Sequence, residues 1–190
     1  MQKFHPRTLF AIGGFAASVI LLAFGVACIF VGIDGRNEVR DTLRKEDIVG
    51  TDDSTIPGQL VDTGSEAKAF ADVMRQHTLE RTGGLTYSQI GRFEAADGDP
   101  AGTGDAALAA LFQDGNPIPN ANRDLWINET ALTTALNTAY FAERVGTFSI
   151  IMGIAMILTG VGFVVLTIAA LWRHSDAAER NSIAGPREAS

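Results

Sequence analysis

The sequence predicts an all-α membrane protein, in which a two-helix transmembrane hairpin carries a mainly helical extracytoplasmic domain with loops. Three observations predict this fold class. Residues 9–33 and residues 145–171 contain no charged side chain. The 111 residues between these segments are strongly acidic, whereas the two short tails carry no net negative charge.

The two uncharged segments are long enough to cross a lipid bilayer. They contain 25 and 27 residues, and a membrane-spanning helix needs about 20 apolar residues to cross a hydrocarbon core of about 30 Å. As helices they would measure about 37 and 40 Å, so we expect them to tilt or to extend into the headgroups. A buried helix of a soluble protein is the alternative for either segment.

Two further alternatives concern the first segment, residues 9–33. It follows a basic N-terminus, as a cleaved signal peptide does, but it exceeds the apolar region of about 7–15 residues that is typical of signal peptides. The only cysteine, Cys28, ends a four-residue stretch that faintly resembles a lipoprotein cleavage box, and the apolar run continues beyond it. We therefore interpret Cys28 as a small buried side chain.

The charge of the two tails predicts the orientation of the chain in the membrane. The N-terminal tail, residues 1–8, contains Lys3 and Arg7 and no acid, and the C-terminal tail, residues 172–190, contains three arginines and three acids. Segments longer than about 60 residues cross the membrane largely regardless of their own charge, so the short tails decide. We expect a membrane protein that crosses the bilayer twice, with both termini in the cytoplasm and residues 34–144 outside.

The charge of residues 34–144 also restricts the partners. This segment contains ten basic and nineteen acidic residues, a net charge of −9, which argues against nucleic acid as a partner. The expected partners are the lipid bilayer and other membrane-protein subunits or a second copy of the chain. Four basic residues near the first span favour the opposite orientation: Arg36, Arg40, Arg44 and Lys45.

Small residues recur along one face of each predicted span. In the first span they are Gly14, Ser18, Gly25, Cys28 and Gly32. In the second span they are Gly146, Ser149, Gly153 and Gly160. Small side chains on one face let transmembrane backbones approach closely, so we predict two helix-packing seams. Each seam would pack on the other span or on another protein, and the alternative is that membrane helices are simply rich in glycine.

The first half of the central segment is predicted to be helix, loop and helix. Residues 37–47 are charged and continue the first helix for a few turns, and residues 50–64 are rich in glycine, proline and threonine, which indicates a loop. Ser65 is a suitable N-cap for the next helix, which Gly83 and Gly84 end. Its predicted inner face consists of Ala67, Phe70, Ala71 and Met74.

The second half is predicted to contain short helices and then a long one. Thr86 and Gln89 form a capping box for a short helix through Phe93. Residues 97–105 are a loop by composition, residues 106–112 a short Ala/Leu helix, and residues 114–122 a turn-rich linker. Residues 123–172 are predicted to form one helix that includes the second span.

The candidate chemical groups do not assemble into a known site. His77 is the only histidine between the spans, and that segment contains no cysteine, whereas a metal site needs three or four converging ligands. Asp97, Asp99 and Asp105 suggest calcium, but a calcium loop also needs ligands where Ala101 and Leu108 stand. No phosphate-binding glycine motif and no catalytic serine elbow occur. We therefore expect no catalytic residue, no metal site and no cofactor.

One segment carries a resemblance to a known family. Residues 77–87 read His-Thr-Leu-Glu-Arg-Thr-Gly-Gly-Leu-Thr-Tyr. This stretch resembles the H-x-L-x-x-T-G-G-x-T-Y core of a family of small two-span actinobacterial membrane proteins, and residues 39–48 resemble its V-R-D-x-L-x-x-E-x-I segment. The matching core residues are His77, Leu79, Thr82, Gly83, Gly84, Thr86 and Tyr87.

The resemblance implies an architecture and no activity. Members of the family often carry the label aromatic ring-opening dioxygenase, but the metal ligands that such an enzyme requires are missing from this sequence. The motif has a structural interpretation, in which His77 and Thr82 close a helix, Gly83 and Gly84 turn the chain, and Thr86 caps the next helix.

Three functions are left open by the sequence. The first is a non-enzymatic accessory or scaffold protein that associates with a larger plasma-membrane complex, such as a respiratory one. The second is an extracytoplasmic sensor or ligand-binding membrane protein, and the third is a dioxygenase-type enzyme. The packing seams and the lack of catalytic groups favour the first.

Overall fold

The computed structural model describes residues 6–183, and most of this length is helix. Three α-helices follow one another along the chain: α1 (Pro6–Lys45), α2 (Gly64–Arg81) and α3 (Ala121–Ile183). Within the described residues the connections contain two short 3-10 turns and only isolated β-bridges. The chain is therefore all-helical, as predicted, while the outer parts of both predicted tails, residues 1–5 and 184–190, lie outside the described residues.

The chain divides into two compact units. One unit, the helix pair, combines Met1–Asp34 with Val145–Ser190, and the other, the central domain, is Gly35–Arg144. α1 and α3 each contribute residues to both units. The unit boundaries differ by no more than one residue from the ends of the two uncharged segments of the sequence.

The two helices of the helix pair are apolar and largely exposed. α1 and α3 are both long and apolar enough to cross a membrane. Only 17% of the most apolar stretch of α1 and 11% of that of α3 is buried, whereas the core helix of a soluble protein would be mostly covered. Large apolar side chains face outward on both helices, among them Phe15, Phe24, Phe30, Phe148, Leu158 and Leu166.

The core of the central domain lies where the end of α1, the start of α3 and α2 meet. Its buried side chains are Leu43, Val61, Ala67, Ala71 and Leu136. Phe70 and Met74, on the predicted inner face of α2, are partly buried against this cluster. The apolar spacing of α2 therefore predicts the buried face correctly.

α2 begins at a different cap from the one predicted. Thr63, not Ser65, is the N-cap residue, and its hydroxyl accepts a hydrogen bond from the backbone N–H of Glu66 at 3.3 Å. The Glu66 carboxylate accepts one from the backbone N–H of Thr63 at 2.9 Å, which completes a capping box. The next residue, Gly64, has no room for a side chain, because an added methyl group would lie 2.7 Å from the Cα atom of Tyr140.

The segment between α2 and α3 is less helical than predicted. The capping box of Thr86 and Gln89 is present, but it starts only the 3-10 turn Tyr87–Gln89. The predicted helix over residues 106–112 is wrong, because only Ala106–Leu108 forms a 3-10 turn and the chain then extends. Its backbone bonds to other segments instead: the Ala110 N–H donates to the carbonyl of Glu94 at 2.8 Å.

Candidate functional site

The small residues of α1 and α3 meet in a regular antiparallel register. A methyl group added at Gly25 would lie 2.7 Å from the carbonyl oxygen of Gly153, and one at Gly153 would lie 2.5 Å from that of Gly25. Each step of seven residues back along α1 matches a step of seven forward along α3. The register pairs Gly32 with Gly146, Gly25 with Gly153, and Ser18 with Gly160.

The contact extends along most of the helix pair. At its far end a methyl group on Gly14 would lie 2.6 Å from the hydroxyl of Thr167. From Gly14 to Gly32 the rise of a helix is about 27 Å, close to the thickness of a bilayer core. By contrast, a methyl group on Gly13 or Gly162 would meet no atom within 4 Å. The two seams therefore pack on each other.

Ser18, a polar member of the seams, lies at the same interface, where its carbonyl oxygen would lie 3.2 Å from a methyl group on Gly160. Ser18 is fully buried, and its hydroxyl donates to the carbonyl of Gly14 at 2.7 Å. That bond gives the hydroxyl a partner within its own helix, so Ser18 can be buried among apolar side chains without an unpaired polar group. Cys28 and Ser149 are half-buried, and the Cys28 thiol is free.

The motif of residues 77–87 forms the turn that follows α2. The buried Thr82 hydroxyl lies 2.9 Å from the carbonyl oxygen of Thr78 and 2.7 Å from that of Leu85. Gly83 and Gly84 both have positive φ, +63° and +83°, which glycine adopts without steric cost. The Gly84 N–H donates to the carbonyl of Leu79 at 2.7 Å, so the last carbonyls of α2 have partners.

The first turns of α3 hold this turn in place. The indole N–H of the buried Trp126 donates to the carbonyl of Leu85 at 3.0 Å. The Arg123 guanidinium lies 4.1 Å from the ring centre of Tyr87 and donates to its hydroxyl at 2.5 Å and to the carbonyl of Ile90 at 2.8 Å. Sequence reasoning did not predict this role for Arg123 and Trp126, because both stand more than 30 residues from their partners.

His77 has a partner that the sequence did not indicate. Its Nε2 lies 2.5 Å from a carboxylate oxygen of Asp53, in the loop before α2. Hydrogen bonds from His77 and from Thr51 lower the pKa of the Asp53 carboxyl below its ordinary value of 3.8. The pair is partly exposed and joins only two groups, so it orders the loop and does not by itself constitute a catalytic or metal site.

In the loop that contains Asp97, Asp99 and Asp105, nearby backbone N–H groups donate hydrogen bonds to the three carboxylates. Among residues 6–183 no group of three or more histidine, cysteine or acidic side chains is placed to hold a metal ion. Asp97 accepts from the backbone N–H of Asp99, Asp99 from that of Ala101, and Asp105 from that of Ala107. These three carboxylates cap successive turns and do not converge on one point.

The candidate residues therefore form two separate sets. The seam residues belong to the helix pair, and the motif residues belong to the central domain, where they bond to backbone groups and to α3. In their arrangement they can pack helices and fix a turn. Comparisons with protein-family models, with curated proteins and with solved structures give no match for the chain.

Proposed function

We propose that the chain is a non-enzymatic accessory or scaffold protein that crosses the plasma membrane twice as a helical hairpin and associates with a larger membrane complex. The central domain stands outside the membrane, and both termini are cytoplasmic. The observation that carries the helical hairpin of this proposal is the seven-residue register of Gly32, Gly25 and Ser18 on α1 with Gly146, Gly153 and Gly160 on α3.

The register supports a close-packed membrane anchor. In lipid, helices associate mainly by van der Waals packing, and small faces permit the short backbone distances that this needs. Because each seam is covered by the other, a partner would contact the outward faces of the helices or the central domain. The outward faces are apolar and lack ionisable side chains over residues 9–33 and 145–171, apart from the Cys28 thiol.

The ion pairs of the central domain support the orientation. Arg44 donates to Asp62 at 2.9 and 2.7 Å, and Arg36 donates to Glu143 at 3.3 Å. Arg40 lies 3.7 Å from the same Asp62 carboxylate. Three of the four basic residues that favoured the opposite orientation thus have acidic partners within the same domain.

The non-enzymatic assignment rests on where the polar groups of the motif point. Thr82 and Thr86 bond within their own turns, and Tyr87 is engaged by Arg123. A catalytic site needs a nucleophile, a base and an orienting group around one open position. The groups of the motif are instead spread along a turn, where Thr82 bonds to backbone carbonyls, Tyr87 to Arg123 and His77 to Asp53.

Co-purification tests the proposal. Membranes that contain the tagged full-length chain are solubilised in mild detergent and separated by native electrophoresis, and the bands are quantified by mass spectrometry. We expect the chain to migrate with a larger complex in fixed stoichiometry, and we expect its deletion to lower the yield of that complex. Migration as a free monomer, while other membrane complexes stay intact, would contradict the proposal.

A sensor is the second candidate, because α3 continues without a break from Ala121 to Ile183 and includes both central-domain residues and the second apolar segment. A continuous helix can transmit a displacement along its axis. If the chain is a sensor, its deletion should abolish a change in gene expression that normally follows an external condition. The yield of membrane complexes should stay unchanged. That result would contradict the accessory role and would support the sensor.

A further inference from the structure

Three segments of the central domain are tied into a closed backbone triangle. The Glu94 N–H donates to the carbonyl of Ile118 at 2.9 Å, the Ile118 N–H to that of Ala110 at 2.8 Å, and the Ala110 N–H to that of Glu94 at 2.8 Å. A ring of mutual backbone bonds uses groups that a helix or sheet would otherwise pair. The triangle therefore fixes the position of the residues that flank Ala110.

Large apolar side chains project from this triangle. Leu108 is 63% exposed, Leu111 57% and Phe112 51%, whereas Ala109 between them is buried. Residues 108 and 112 are four positions apart, so their Cα atoms lie within about 14 Å of each other. These three exposed side chains stand within five residues of one another along the chain, on a domain of net charge −8, and they form an exposed apolar tip of the kind that marks interaction sites.

The charged residues nearest to the apolar tip along the chain are acidic, and the first basic residues on either side are Arg92 and Arg123. Residues 93–122 contain five acids and neither lysine nor arginine. Asp105 lies just before Leu108 and caps its turn, and Asp114 lies in the turn closed by the Gly115 N–H bond to the carbonyl of Phe112. Hydrogen bonds from Asn116 lower the pKa of the Asp114 carboxyl, so it carries its charge at neutral pH.

Charge complementarity selects the occupant of the tip. Anionic lipid headgroups attract basic segments and repel acidic ones, so a membrane surface does not fit. A second copy in a two-fold dimer would bring the same acids face to face. A surface with lysine and arginine side chains around an apolar groove matches both properties of the tip.

We propose that Leu108, Leu111 and Phe112 dock into an apolar groove, bordered by lysine and arginine, on a protein subunit of the complex. This inference rests on the proposed accessory function, and it names the surface that makes the contact. The acids around the tip, Asp105 and Asp114, speed and orient the encounter, and the three apolar side chains supply the buried area.

Photo-crosslinking in native membranes tests the inference on the full-length chain. A benzophenone amino acid replaces Leu111, and a control replaces the exposed Gln76 on α2. The crosslinked peptides are identified by mass spectrometry. We expect position 111, and not position 76, to crosslink to a protein segment that contains lysine or arginine, and we expect the yield to fall as salt is raised.

A second experiment on the same chain tests whether the acids around the tip, Asp105 and Asp114, contribute to docking. Asp105→Asn with Asp114→Asn keeps a side-chain oxygen at each turn and removes both charges. The crosslink yield at position 111 should then fall roughly three- to tenfold and lose most of its salt dependence. An unchanged yield, crosslinks to lipid or to a second copy of this chain, or no crosslink at position 111 would each overturn the inference.

Native electrophoresis of the same membranes separates this failure from failure of the accessory function. Leu111→Asp should release the chain from its complex, because it places a charge in the proposed groove. A chain that still migrates with the complex in this variant, without a crosslink at position 111, contradicts only the docking surface. A wild-type chain that migrates alone contradicts the accessory function as well.

Discussion

Gly25 of α1 and Gly153 of α3 face each other so closely that neither position has room for a methyl group. The added carbon would lie 2.7 Å from the Gly153 carbonyl oxygen in one case and 2.5 Å from that of Gly25 in the other. Both obstacles are backbone atoms, which cannot move away as a flexible side chain can. The separation of the two helices is therefore set at this pair.

Replacing Gly153 by leucine should destabilise the helix pair by about 1–3 kcal/mol, because overpacking at a close contact forces the helices apart. The measurement is thermal unfolding of the full-length chain in detergent micelles. Gly162→Leu is the matched control, since nothing lies within 4 Å of a methyl group at that position. Equal destabilisation by both variants would show that the seam is only a matter of composition.

The sequence predicted the seams but not their partner. A spacing of three, four and seven residues identifies a helix face, and the glycines of the two faces, among them Gly25 and Gly153, lie against the other helix. Whether a small face meets the other span or a different protein depends on the register of two segments more than 100 residues apart. Periodicity within one helix contains no information on that register.

The central domain shows the same division between local and distant contacts. The apolar spacing of α2 predicted its buried face, and the Thr86 capping box is present, because both are local patterns. The predicted helix over residues 106–112 failed because a short Ala/Leu run suits a helix or an extended segment, and the bond that the Ala110 N–H donates to the distant Glu94 carbonyl favours the extended one. The Asp53 partner of His77 stands 24 residues away, in a loop without periodicity.

Thr82→Val should destabilise the central domain by about 1–3 kcal/mol, because it removes the buried hydroxyl that donates to the carbonyl of Thr78 or of Leu85. Chemical denaturation of the full-length chain measures this. Thr138→Val is the control: its hydroxyl also bonds to a carbonyl four residues earlier, at 2.7 Å, but is exposed, so the change should stay within about 0.5 kcal/mol. Similar losses in both variants would contradict the capping role of Thr82.

The pKa of Asp53 should depend on His77. Because the hydrogen bond from His77 lowers this pKa below 3.8, His77→Gln should raise it toward that value. The stabilisation from a lowered carboxyl pKa is present above pH 3.8 and is lost as the pH falls through the folded-state value. Carboxyl NMR titration of the full-length chain in micelles measures the shift, with Gln76→Ala as the control; an unchanged Asp53 titration in His77→Gln would contradict the pairing.

The purified chain should bind no stoichiometric iron or zinc. His77 bonds to a single carboxylate, and a metal site of the dioxygenase type needs at least two histidines and a carboxylate. Elemental analysis of the protein, purified without chelator, tests this expectation. About one metal ion per chain, lost in His77→Ala, would contradict the non-enzymatic account.

Cysteine labelling on intact cells tests most directly whether the chain crosses the membrane twice with the central domain outside. In a Cys28→Ser background, one cysteine replaces the exposed Ser65 at the start of α2 and another, in a separate variant, replaces Ser182 near the end of α3. An impermeant thiol reagent should label position 65 on intact cells and position 182 only after permeabilisation. Labelling of position 182 but not of position 65 on intact cells would reverse the orientation, and equal labelling of both positions would contradict the two-span architecture itself.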